Sequence, residues 1–358
     1  MDRKLKIAII GCSRIFWERH RPAFAHMENA EITAVCDTRP ERAKAAAEAC
    51  GTEAYYTDYH DMLKIEGLDA VDICTPNFCH AEAACDALNA GLHVFCEKPD
   101  AISAAEAEKM KTAAEKNGRV LMVMRNNRYW PTSEFLKKYI SDGKMGDIYA
   151  GRCGWIRRRG IPGRGGWFTT KALSGGGALI DLGIHMIDLA VWLMGNPRPV
   201  AVSGCTYRKF DEAPDISDSE SAKFGDRNAD GIFDVEDLAM GFLRFDNGAC
   251  LQIEFSWASN IEEEQYFVEL RGSKAGSRWS SSDQKLRIFT EENGALIDYL
   301  PKIDNGKGIP THEANLRHFA DVVLNGAAAD FLPQQGVNEM KILEAVYQSA
   351  RTGREVLL

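Results

Sequence analysis

"KIAIIGCSRIF", residues 6–16, reads as a strand that stops at a glycine. Apolar residues 7–10 run straight into Gly11, and polar Ser13 and Arg14 open the next segment. A short apolar run of this kind suits a parallel strand covered on both faces, turning at its carboxyl end. The same pattern recurs in "EITAVCD" (31–37), "AVDICT" (70–75), "HVFCEK" (93–98) and "VLMVM" (120–124). Between these runs lie the Ala- and Glu-rich stretches 40–50, 80–90 and 103–118, with Gly91 and Gly118 placed as helix C-caps. Regular strand–helix alternation implies right-handed crossovers and a doubly wound parallel sheet.

The texture changes near residue 150. "YAGRCGWIRRR" (149–159) reads as a strand, and a Gly-rich loop follows over 160–177. "ALIDLGIHMIDLAVWLMG" (178–195) reads as a helix stopped by Gly195-Asn196-Pro197. Alternating runs at 200–207, 238–245, 250–258, 266–272 and 285–290, with an Asp246-Asn247-Gly248 turn, predict an antiparallel sheet of hairpins. Helices over 313–325 and 337–351 close the chain. At roughly 150 residues per domain, two domains are expected: 1–125 and 126–358 of the 358 residues.

Composition narrows the partners. A net charge of −9 and a pI near 5.5 argue against nucleic-acid and membrane partners, which favour basic surfaces. The first apolar run is too short for a signal segment, and no stretch approaches the ~18 apolar residues of a spanning helix. Ten cysteines without C-x-x-C spacing read as buried free thiols, and a cytoplasmic location is expected.

The turn after the first strand, Gly11, Cys12, Ser13, Arg14 and Ile15, matches only the first glycine of the dinucleotide fingerprint G-x-G-x-x-G. In that fingerprint, backbone amides at a helix N-terminus receive a pyrophosphate. Asp37 ends the second strand, where a carboxylate binds adenosine ribose hydroxyls. Its charge opposes a 2′-phosphate and favours NAD over NADP; Arg39 and Arg42 soften that preference, unless they only decorate a helix start. "CTPNFCH" (74–80) brings Thr75, Pro76, Asn77 and His80 to the carboxyl edge of the sheet.

Glu97-Lys98-Pro99, taken with "GCSRI", "CDTRPERA", "CTPNFCH", "NNRYWP" and "GGGALIDLGIHMIDLAVWLMG", resembles the Gfo/Idh/MocA oxidoreductase family over nearly the whole chain. The resemblance implies an α/β fold: an N-terminal Rossmann domain plus a C-terminal α/β domain with an open, mostly antiparallel sheet. It implies oxidation or reduction of a secondary alcohol on a sugar, cyclitol or related small molecule with NAD(P). By the same resemblance Lys98, Asp181 and His185 are catalytic, Glu97 and Asn126 lie by the cofactor, and Arg128 is near the nicotinamide or substrate. Ser13 and Phe16 depart from the glycine pattern, and Ser13 is compatible with it if its side chain turns from the pyrophosphate.

These residue types suit the chemistry. Removing a carbinol proton as hydride departs needs a base with a pKa near neutrality, which histidine provides. Asp181 and His185 share a helix face at i, i+4, so the carboxylate can orient the imidazole; Asp188 is a second partner by spacing. Lys98 at a strand end can stabilise a developing alkoxide. Trp155, Arg157 and Trp167, with Arg158, Arg159 and Arg164, can grip a sugar face or an anion. The same cluster equally fits a subunit contact. An open sheet face points to a homodimer or homotetramer.

Two other functions use the same residues: net glycoside hydrolysis through transient oxidation by bound NAD, and nucleotide sensing without catalysis. No metal site is assigned. "DRNADGIFDVED" (226–237) carries Asp226, Asn228, Asp230 and Gly231 at EF-hand spacing. However, Pro214 upstream and a strand pattern downstream remove the flanking helices, so the stretch is expected to be a solvated loop entering a strand.

Overall fold

Leu5, Ile7, Ala8 and Ile9 are all fully buried although neighbours on a strand face opposite ways, which requires a sheet covered on both sides. The computed structural model describes residues 3–213, 219 and 223–358. It divides into one unit of residues 1–126 and 308–337 and another of 127–307 and 338–358.

In the first unit, β1 (Leu5–Ile10), β2 (Ala30–Cys36), β3 (Tyr55–Tyr56), β4 (Ala70–Ile73), β5 (His93–Cys96) and β6 (Leu121–Val123) form one parallel sheet ordered β3-β2-β1-β4-β5-β6. The order reverses between β1 and β4, so a crevice opens beyond their carboxyl ends. The helix Ala104–Asn117 shows how the sequence sets its limits: Ser103 accepts from Glu106 N, and Gly118 closes it in the left-handed conformation. The helix Thr311–Asn325 joins this unit rather than the later residues it follows in the chain. Its Phe319 ring lies 5.3 Å from Phe95 of β5, and Asn315 Oδ1 accepts from Arg125 N at 2.8 Å.

In the second unit β7 (Ile148–Ile156), β8 (Pro199–Tyr207), β9 (Leu238–Phe245), β10 (Cys250–Ser256), β11 (Gln265–Gly272), β12 (Ala275–Ser280), β13 (Lys285–Glu292), β14 (Ala295–Tyr299) and β15 (Val356–Leu357) form one sheet. Its order is β14-β13-β12-β11-β7-β10-β9-β8-β15, with only β7 and β10 parallel. The expected α/β class, with one doubly wound and one mostly antiparallel sheet, is the class observed. All ten cysteines are free thiols.

One expectation needs correction. The stretch Lys171–Leu193 is long and apolar enough to span a membrane by composition. Its apolar window is 83% buried within the protein, which is the signature of a core helix.

Phe255 on β10 is fully buried, 3.2 Å from where a Cβ on Gly183 would stand. Phe255→Ala should therefore lower unfolding free energy by about 3–5 kcal/mol in a denaturant titration. A loss below about 1 kcal/mol would mean that this sheet–helix packing is not the core.

Candidate active site

Gly11 follows β1 with φ +95°, and a Cβ there would stand 2.9 Å from the Cys74 carbonyl carbon and oxygen. Only glycine accommodates both the conformation and the approach. Cys12 N and Arg39 N each donate to the Asp37 carboxylate at 2.9 Å, anchoring it beside the turn. Ser13 Oγ donates to Cys74 O at 3.4 Å, across to the end of β4. Phe16, in the third glycine's place, is fully buried in a π-turn, Phe16–His20, within the helix 14–25. Arg14 opens that helix and ion-pairs with Glu18, and Ile15, the next residue, is half-buried.

After β4, Thr75 Oγ1 is buried without a hydrogen-bond partner, Pro76 is half-buried and Asn77 is buried. His80 is fully buried, its ring nitrogens 2.7 Å from Pro99 O and 3.0 Å from Thr75 O. Burial pushes its pKa below the usual imidazole range. His80 therefore braces two strand-end loops from behind instead of meeting a ligand itself. Asn126, half-buried, ends the unit's first segment. An anion-receptive helix start, an anchored carboxylate at Asp37 and an orphan hydroxyl at Thr75 together fit a dinucleotide.

β5 delivers Glu97 and Lys98. From Val94 to Ala101, Lys98 alone is not buried. Its peptide to Pro99 is cis. Glu97 Oε2 accepts from Lys98 N at 3.1 Å, and Oε1 lies 2.8 Å from His20 Nε2. Burial would raise the Glu97 pKa, but the His20 hydrogen bond and charge outweigh it and hold the carboxyl at about 2. Asp100 and Arg125 form a second buried ion pair beside it.

The second unit presents its polar pair in the same selective way. Between Gly176 and Val191, only Asp181 and His185 are not buried. A π-turn, Leu179–Gly183, interrupts the helix where Asp181 sits, an irregularity that often marks functional positions. Asp181 Oδ2 accepts from Trp257 Nε1 at 2.9 Å. The Trp155 ring lies 5.9 Å from the His185 ring, and the Arg157 guanidinium lies 5.1 Å over Trp155. Burial lowers the Arg157 pKa, and the nearby Asp181 charge works against that shift. Trp155 Nε1 is buried with no hydrogen-bond partner. Thus Trp155, Arg157, Asp181 and His185 come together as a group.

Other expected ligand residues serve the frame. Arg128 is fully buried and ion-paired with Asp188, its Nε donating to Oδ2 at 3.0 Å. That pairing commits Asp188 to Arg128. Arg159 donates to Ser259 O, and Arg164 donates to Phe210 O at 2.8 Å. Trp167 stacks on Phe168 at 3.8 Å.

Trp257, Glu236 and Tyr347 were given no role by the sequence. The Glu236 carboxylate accepts from Gly177 N at 3.0 Å, Leu179 N at 2.9 Å and Tyr347 Oη at 3.0 Å, capping the start of the helix that carries Asp181.

A family model described as "Oxidoreductase family, NAD-binding Rossmann fold" (GFO_IDH_MocA) matches residues 5–125. A second, the GFO/IDH/MocA C-terminal domain, matches residues 134–278. The chain belongs to the Gfo/Idh/MocA family. Among relatives, it is 34% identical to D-glucoside 3-dehydrogenase of Escherichia coli (strain K12), over 99% of this chain and 97% of that protein. It is 25% identical to scyllo-inositol 2-dehydrogenase (NAD(+)) of Bacillus subtilis (strain 168), over 100% and 97%. A solved levoglucosan dehydrogenase in complex with NADH superposes with a TM-score of 0.86 at 25% identity, covering 99% of each chain. The chain is thus an oxidoreductase whose first unit is an NAD-binding domain.

Within this Gfo/Idh/MocA chain, residues 226–237 lead directly into β9 and are not held between two helices; Pro214, upstream, lies outside the described residues. Gly231 is required because a Cβ there would stand 1.8 Å from Gly165 O. Asp234 accepts from Lys171 N at 2.6 Å, and Asp237 from Lys209 N and Phe210 N at 2.5 and 2.6 Å. The acidic groups thus tie the loop to its neighbours.

The Glu97 pKa carries a stability signature. Its folded value of about 2 lies below the ordinary 4.5, so its stabilisation is present above 4.5 and is lost as pH falls through 2. Unfolding free energy measured across that window should decline, and Glu97→Gln should flatten the decline. An unchanged slope in the variant would contradict the ionised, buried Glu97.

Proposed function

We propose that the chain interconverts a secondary alcohol and a ketone on a sugar, cyclitol or sugar derivative, with NAD preferred over NADP. The observation that carries the reading is selective exposure: Lys98 on one strand end, and Asp181 with His185 on a buried helix, are the reachable polar groups among buried neighbours. Burying an ionisable group without need is costly, and leaving three reachable at these positions has a chemical use. Gly11 to Ile15 offer the helix start to the pyrophosphate, Asp37 binds the ribose, and Thr75, Pro76, Asn77 and Asn126 border the remainder of the cofactor. The Asp37 charge disfavours a 2′-phosphate. Bound NAD supplies the hydride acceptor.

The chain's own residues manage the proton. His185 removes the hydroxyl proton, and Lys98 donates to the same oxygen as negative charge develops there. Asp181, held by Trp257, stabilises the imidazolium that forms. Trp155 offers a ring face to a sugar, and Arg157 adds positive charge beside it. The sugar-acting dehydrogenases among its relatives support this substrate class. Exposed Tyr149, Phe242, Phe289 and Leu296 on the second sheet support self-association as a dimer or tetramer. Ten free thiols support a reducing, cytoplasmic setting.

A panel of glucosides, free sugars and cyclitols incubated with NAD should yield NADH with at least one member. His185→Ala should reduce kcat on that substrate about 10²–10⁴-fold while NAD affinity is kept. An unchanged kcat would remove His185 from the mechanism. Aglycone release from aryl glycosides without net NADH would place the chemistry in hydrolysis instead.

A further inference from the structure

His20 is fully buried in the NAD-binding unit, where it holds Glu97 but has no role in the reaction proposed above. Nδ1 lies 2.7 Å from Asp72 Oδ2 on β4, and Nε2 lies 2.8 Å from Glu97 Oε1 at the end of β5. An ionised carboxylate only accepts, so a ring held between two of them donates from both nitrogens and is an imidazolium. Burial opposes that charge, but Asp72 outweighs it and keeps the His20 pKa well above the ordinary range. The neighbouring His312 ring, 6.4 Å away, goes the other way: burial takes its pKa down to about 4, so it is neutral at pH 7.

A metal would need the same atoms. His20, Asp72 and Cys74 hold ligand-capable atoms within 4.8 Å of one another. Both ring nitrogens are already engaged, however, and burial, then the Asp72 charge, push the Cys74 thiol up to about 12, so no thiolate is on offer. The cluster is a hydrogen-bonded chain: Asp72, His20, Glu97, then the Lys98 amide at 3.1 Å.

We propose that His20 is a positioning residue for Lys98, its two hydrogen bonds locking the Glu97 carboxylate against the Lys98 amide and so fixing where the Lys98 side chain is aimed. The inference rests on the catalytic assignment of Lys98 made above. It explains why the buried Glu97 carboxylate, one residue from the reachable lysine, is paired with a fully buried imidazolium: such charges are kept where geometry is worth their desolvation. A misplacement of about 1 Å at a reacting group costs on the order of 10²-fold in rate.

The test compares wild type with His20→Gln, Glu97→Gln and the double variant, each checked for folding by circular dichroism and for NAD affinity. His20→Gln should lower kcat on the order of 10–100-fold with the sugar KM nearly unchanged. The double variant should be little worse than either single one, because both act through one chain. If His20→Gln fails to fold, Glu97→Gln alone should show the same kcat-only loss. A folded variant with unchanged kcat, fully additive losses, or a stoichiometric metal in purified wild type would overturn the proposal. A second readout needs no substrate: the ¹³C-dimethylated Lys98 resonance, assigned by its loss in Lys98→Arg, should move in His20→Gln. If wild type oxidises no sugar, the assigned reaction fails, and this resonance still decides the positioning: moved supports it, unmoved overturns it.

Discussion

Gly177 N and Leu179 N stand at the buried start of the helix 178–193, where water cannot reach them, and each must find an acceptor. The Glu236 carboxylate supplies it for both and also receives the Tyr347 hydroxyl. A buried amide left without an acceptor costs on the order of 1–3 kcal/mol. By meeting that need, Glu236 fixes the end of the helix just before the π-turn that carries Asp181. The start of β9, the C-terminal helix Pro333–Thr352 and the helix that carries Asp181 thereby share one joint. Residues 226–237, whose carboxylates mimic a cation loop, are the strut leading to it.

Much of this arrangement was legible in the residues, for physical reasons. Apolar runs ended by Gly11, Asp37, Thr75 and Glu97 report strands buried on both faces, and the parallel sheet follows from their alternation with helices. Asp181 and His185 were marked by the family resemblance, since the apolar helix by itself fits a core histidine equally well. What stayed hidden depends on contacts distant in sequence. Nothing near Arg128 announces that Asp188 will neutralise it. Nothing local indicates that Trp257 will hold Asp181, or that 308–337 will pack with the first unit through Phe319 and Asn315. The π-turn, too, is invisible to a reading that assumes a uniform helical period.

The two units use buried charge in a common manner. Each sets complete pairs deep in its interior, Asp100 with Arg125 in one and Asp188 with Arg128 in the other. Breaking such a pair would strand a charge in a poorly polarisable interior, so these residues are unavailable to ligands. Lys98 in one unit, and Asp181 with His185 in the other, stay half-exposed among buried neighbours, while Glu97 and His20 are buried. The division between paired interior charge and reachable charge separates scaffold from site more clearly than residue type does.

Membership of the Gfo/Idh/MocA family and the NAD-binding unit make hydride transfer the central claim. It is tested most directly by following the hydrogen itself. A sugar substrate deuterated at its secondary carbinol carbons, incubated with the protein and NAD, should deliver one deuterium to C4 of the nicotinamide for each ketone formed. Nuclear magnetic resonance or mass spectrometry of the recovered cofactor reads this outcome. Ketone formed while the recovered cofactor carries no deuterium would contradict the account.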